Sequence, residues 1–234
     1  MRPGVPDALC CAADVLAAED GALRTPLPAL HDEEGQALPE GLPEVIDAHV
    51  HLFALPVFQR IWQWFEHYGW PIRYKMSAPE IPEFLFSRGV SRMVALHYAH
   101  RPGIARSMNR FMAELVADRP NICGSATVLP GEPEAAAILA EGLSMGLRAV
   151  KIHCHVQCMA PDAPEMDAVY RLCAETGTPL VMHAGREPKS PAYRVDPHSI
   201  CAADRVERVL LRYPTLRLVV PHPVSYTHLR AHET

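Results

Sequence analysis

From Val45 onward, short runs of aliphatic and β-branched residues alternate with longer amphipathic stretches. The short runs are "EVIDAHVH", "VSRMVALHY", "NICGSATVL", "LRAVKIHCH", "TPLVMHAG" and "LRLVVPH". Their near-continuous apolar character predicts strands covered on both faces. Between them, apolar residues at helical spacing predict helices over about 78–88, 104–118, 133–145, 164–175 and 202–212. Each stretch ends near glycine or proline, as in "SRGV", "DRPN", "SMGL", "ETGTP" and "RYPTL", the residues that stop helices. Such regular alternation implies parallel strands joined by right-handed crossovers.

Six such units suit a doubly wound α/β sheet or part of a (β/α)8 barrel. No Gly-rich phosphate loop comes after the first strand, so dinucleotide binding has no support. In its place stands "FALPVFQRIWQWFEHYGWPIRY", with Trp62, Trp64, Phe65, Tyr68 and Trp70. This stretch either covers the mouth of a site or forms a helix whose aromatic side chains pack on the barrel. Residues 1–44 are rich in proline, alanine and acidic residues, with weak periodicity. They read as an N-terminal extension carrying one short helix around Ala12–Ala18.

The 234 residues are 49% hydrophobic and 21% charged, with a net charge of −5. This is ordinary globular composition, and its mild acidity gives no reason to propose nucleic acid or a membrane surface as partner. No apolar run approaches the roughly 20 residues of a membrane span, and the N-terminus does not read as a secretory signal. Seven scattered cysteines fit free thiols in a reducing cytoplasm better than a disulfide framework. Cys154 and Cys158 resemble half a zinc site, but no second cysteine pair comes after them.

The histidines carry the chemistry. His49 and His51 end the first run, His97 and His100 come after the second, and His153 and His155 close the fourth. His183 ends the fifth run and His222 the sixth; only the third has none. In a strand, residues two apart share a face, so His49 and His51 point the same way. The carboxyl ends of parallel barrel strands form the face where sites assemble. Imidazoles converging there favour a divalent metal centre over coincidental core histidines. Lysine occurs only at Lys75, Lys151 and Lys189, so Lys151 inside an apolar strand needs an explanation. It shares parity with His153 and His155. It could be carboxylated and bridge two metals, contact a substrate carboxylate, or form an internal ion pair with Asp47; the last two are favoured.

"VIDAHVHLF", "GLRAVKIHCHVQ", "GTPLVMHAG" and "YPTLRLVVPH", in this order and spacing, resemble the amidohydrolase superfamily. The nearest branch is the amidohydrolase-related group that includes aminocarboxymuconate-semialdehyde decarboxylase. The resemblance runs from Val45 to His222 and implies a partial TIM barrel with about six of eight βα units. It implies that His49, His51 and His183 are metal ligands and that His222 acts as acid/base or polarises the bound group. It also implies one divalent ion, zinc first and manganese second, and a ligand aspartate on an eighth strand that this chain does not reach. Lys151, His153, His155 and Arg186 are candidates for substrate contact. Arg186 would hold a carboxylate, unless it only pairs with Glu187 or another acidic neighbour in its loop.

The expected substrate is a small organic acid, lactone or amide. Hydrolysis through metal-activated water is the leading label. Non-oxidative decarboxylation stands close behind, and a metal-binding barrel without turnover is the rival of another class. The last eleven residues, "VSYTHLRAHET" (224–234), match residue for residue the translation of a common transposase sequencing adapter. His228 and His232 are therefore left out of the ligand set, and 45–223 is taken as an incomplete metal-dependent hydrolase domain. The chain as written is expected to have little or no activity, and oligomerisation of a full-length parent is left open.

Overall fold

The computed structural model of the chain describes residues 34–69, 71–185 and 192–221. Six strands lie in sequence order: β1 (Val45–His51), β2 (Val90–Leu96), β3 (Ile122–Ala126), β4 (Ala149–His153), β5 (Leu180–His183) and β6 (Leu218–Val219). Every neighbouring pair is parallel. The helices are α1 (Leu55–Tyr68), α2 (Glu80–Ser87), α3 (Ala105–Val116), α4 (Ala135–Ser144), α5 (Asp167–Thr176), α6 (Pro197–Ile200) and α7 (Ala203–Arg212). Strand order equal to chain order, with a helix in every crossover, is the winding of a βα barrel section rather than a doubly wound sheet.

The pattern of apolar residues explains which strands are central. All five residues of β4 and all four of β5 are buried, whereas β1 alternates, with Ile46 exposed. The continuously buried strands lie inside the sheet, and the alternating one lies at its edge. The core between sheet and helices is built on Leu52, Met93, Met112, Leu139, Ile152, Val169 and Met182. Helix ends fall within a few residues of the glycine and proline signals. Gly89 after α2 and Gly177 after α5 hold φ of +101° and +67°, conformations that cost a side-chain-bearing residue dearly. The stretch expected to be helical from Pro164 begins as a single 3-10 turn, Pro164–Met166, before α5 starts. Proline suits that opening position because it has no N–H to donate.

Two expectations gain detail. The aromatic stretch after β1 is helix α1, and it does both things considered for it. Phe58 is buried against Phe53 and stacks on Trp62, while other residues of α1 reach the site below. Residues 34–44 are tied to the body of the fold. Glu34 pairs with Arg88, Glu44 with Arg92, and the Leu38 N–H donates to the Arg88 carbonyl at 2.9 Å. The short helix expected around Ala12–Ala18 lies outside the described residues. Cys123, Cys154, Cys158 and Cys173 are free thiols. Among the described residues, no helix is long and apolar enough to cross a membrane.

Candidate functional site

The carboxyl ends of β1, β2, β4 and β5 bring their histidines to one rim. On β1 the pairing with β2 is irregular: Asp47 faces Met93 but Val50 already faces Ala95. The extra residue kinks the strand. Asp47 turns its carboxylate back to accept the His49 N–H at 3.0 Å. His49 and His51 emerge on the same side, their Nε2 atoms 3.1 Å apart. Two imidazoles bound about 2.1 Å from one ion would span that separation at an angle of about 95°. The pair therefore fits two positions of a ligand set.

His153 and His183 are register partners on β4 and β5. Their rings stack with centroids 4.0 Å apart and 11° between planes. Tyr98, just past β2, links the two halves of the rim. Its ring meets His51 edge-on at 5.5 Å and His153 at 4.7 Å. Burial first, then the charges that His183, Lys151, His51 and His155 would bring, holds His153 well below the usual imidazole range. Its working state is therefore neutral.

A cavity of about 760 Å³ opens above this rim. Phe53, Trp64, Phe65, Tyr98 and Tyr193 supply its aromatic walls, and the buried His153 and His155 its inner end. Arg60, Arg101 and Arg194, all exposed, line its outer part. Tyr193 stacks on Trp64 at 5.2 Å and meets His155 edge-on at 4.0 Å. It thereby joins α1 to the end of β4 across the cavity.

Of the residues expected from sequence, His49 and His51 are brought together, and His153 and His155 line the cavity. His183 lies behind His153. Among the described residues, no three His, Cys, Asp or Glu side chains are gathered closely enough to hold a metal ion. Lys151 is fully buried and does not line the cavity. The described ion pairs include none between it and Asp47, whose carboxylate is turned to the His49 N–H instead. Arg186 and His222 lie outside the described residues. Sequence reasoning did not single out Tyr98, Tyr193 or the three arginines. Tyr98 carried one signal, its place at a strand's carboxyl end in "LHY". Tyr193 and the arginines sit in helix or loop positions where sequence gives no period to read.

A comparison with curated protein sequences finds no match. Solved structures share the fold. A putative amidohydrolase from Staphylococcus aureus is 17% identical, with a TM-score of 0.55 over 82% of this chain and 72% of that one. A 5-carboxyvanillate decarboxylase from Novosphingobium aromaticivorans, complexed with manganese and 4-hydroxy-3-methoxy-5-nitrobenzoic acid, is 17% identical. Its TM-score is 0.60 over 85% of this chain and 72% of that one. A 2,6-dihydroxybenzoate decarboxylase complexed with 2,6-dihydroxybenzoate is 15% identical, with a TM-score of 0.56 over 81% and 71%. The amidohydrolase family model matches residues 46–228, from the second residue of β1 to beyond β6; the chain belongs to the amidohydrolase family.

Proposed function

We propose that this fold carries the site of a metal-dependent, non-oxidative decarboxylase acting on a planar aromatic or conjugated carboxylic acid. The observation that carries the reading is the cavity: aromatic walls, three arginines outside and buried imidazoles within. Its size suits a single small ligand. Ring faces favour a planar substrate over a flexible amide, and a group of guanidinium ions favours an anion. Two of the fold's neighbours, named as decarboxylases of hydroxylated benzoic acids, support this over hydrolysis, the label the sequence alone put first.

The residues divide the work between them. Arg60, Arg101 and Arg194 draw the anion in. Phe53, Trp64, Tyr98 and Tyr193 hold its ring and exclude water. A carboxylate stripped of water is destabilised relative to neutral carbon dioxide. The carbon–carbon bond to the carboxylate breaks, its electron pair stays on the ring carbon, and a proton must reach that carbon as carbon dioxide leaves. His155, at the inner end against Tyr193, is the imidazole placed to deliver it. His153, held neutral, hydrogen-bonds the substrate rather than carrying charge. His49 and His51 would supply two positions of a divalent-ion site, zinc or manganese, whose positive charge would polarise the substrate's oxygens.

The test starts with binding. 4-Hydroxy-3-methoxy-5-nitrobenzoic acid is titrated into the chain in the presence of Mn2+, with tryptophan fluorescence as readout. Saturable quenching, absent with the corresponding amide, is expected. Carbon dioxide release from hydroxylated aromatic diacids is then measured on this chain and on any longer product of the same reading frame. Hydrolysis of a lactone or amide, with no binding of the acid, would sink the decarboxylase reading.

A further inference from the structure

Past the last ladder bonds of β2, β3 and β4, the backbone still has polar groups to satisfy in a buried rim. One side chain meets three of them. The Gln157 carboxamide, itself buried, accepts the His153 N–H at 2.8 Å. It donates to the carbonyls of Ala99 at 2.7 Å and Val128 at 2.8 Å. Its own backbone N–H donates to the His153 carbonyl at 2.9 Å, so His153 is held from both sides of its backbone.

Thr127 completes the arrangement one layer down. Its hydroxyl accepts the Ala99 N–H at 3.1 Å and donates to the Lys151 carbonyl at 3.0 Å. Asn109 fixes Thr127 in turn through two bonds, 2.8 and 3.0 Å. Ala99 is thus pinned at both its N–H and its carbonyl. The residue before it is Tyr98 and the one after is His100, and both line the cavity.

We propose that Gln157 is a positioning residue for this cavity. Together with Thr127 it sets, through the backbones of Ala99 and His153, where the Tyr98 and His153 rings stand. The inference rests on the cavity being the substrate site. The three bonds of this one side chain reach three successive strand ends. A carboxamide is the right group there, because it supplies one acceptor and two donors at once. Leucine at 157 would leave two carbonyls and one N–H to find new partners, and the strand ends would shift to find them.

The experiment tracks the His153 and Tyr98 ring signals by NMR, and the affinity for the nitrobenzoic acid probe, in three variants of the whole chain. Gln157→Leu is expected to move both sets of ring signals and weaken probe binding by about tenfold or more, because small displacements of positioned groups are costly. Thr127→Val, a milder change, is expected to move the Tyr98 signals more than those of His153, and it decides the matter if Gln157→Leu does not fold. Ser144→Ala removes a hydroxyl bond to the Glu141 carbonyl at the exposed end of α4 and is expected to leave both readouts unchanged. Ring signals that stay in place in folded Gln157→Leu, or in Thr127→Val where that variant is the one that folds, overturn the proposal. A wild-type chain that binds no probe counts against the substrate site, and the ring signals still decide whether Gln157 positions the rim.

Discussion

The rings of His153 and His183 lie face to face, 4.0 Å apart and 11° from parallel, because β4 and β5 pair them in register. Neighbouring parallel strands run about 4.8 Å apart, so two register partners on one face must touch. Burial, and then the charge that His183 would bring, holds His153 well below the usual imidazole range.

The first expectation separates ligands from cavity residues. His49→Ala or His51→Ala should lower Mn2+ affinity by more than about 100-fold, since even changes to groups that only support ligands reach that size. His153→Ala should keep the metal and lose probe binding. Metal per chain, measured after gel filtration, and fluorescence titration check both. If His153→Ala empties the chain of metal as completely as His49→Ala, His153 is itself a ligand.

The arginines should act through long-range attraction rather than tight contact, because all three are exposed. Arg101→Gln and Arg194→Gln should each raise the probe's Kd about threefold at low salt, as expected for a solvent-screened charge. The difference should vanish near 1 M salt, where the screening length is about 3 Å. A loss that persists at high salt would mean a direct, desolvated contact.

How much of this could be read from the chain differs by feature. The six strands were legible because β4 and β5 are buried on both faces, and such strands write themselves as "AVKIH" and "LVMH". The shared face of His49 and His51 came from strand parity, although the kink at Asp47–Val50 lies between the strand and the site and left no mark in the pattern. The cavity was not legible. Trp64 meets Tyr193 from far along the sequence, and the guanidinium groups of Arg60, Arg101 and Arg194 come from a helix and two loops. Nothing periodic ties such positions together. Gln157 was missed for the same reason: its three bonds go to backbone atoms, which every sequence has.

One glycine tests the packing between α4 and the sheet. A Cβ on Gly142 would lie 2.9 Å from the Ala126 Cβ and 3.0 Å from Nδ2 of Asn109. In an open helix, glycine to alanine stabilises by about 1 kcal/mol. Here Ala126 is fully buried with nowhere to retreat, and overpacking costs about 1–3 kcal/mol. Gly142→Ala is therefore expected to destabilise the chain in urea unfolding, and a gain in stability would contradict the contact.

The last expectation concerns acid stability. His97, at the end of β2, is fully buried, and that burial pushes its pKa down to about 4. The Ser125 backbone and the Asn109 side chain beside it pull weakly the other way. In the unfolded chain the same imidazole titrates near 6.5. Between these values the unfolded chain binds a proton that the folded chain refuses, so the stability His97 contributes is full above pH 6.5 and falls as the pH drops toward 4. At roughly 1.36 kcal/mol per pH unit, the ceiling on this loss is about 3 kcal/mol. His97→Gln removes the titrating group, so its stability relative to wild type should rise as the pH falls from about 6.5 to 4. Urea midpoints measured across that range read the gap directly. A gap of constant size would mean that His97 titrates alike in the folded and unfolded chain, contrary to its burial.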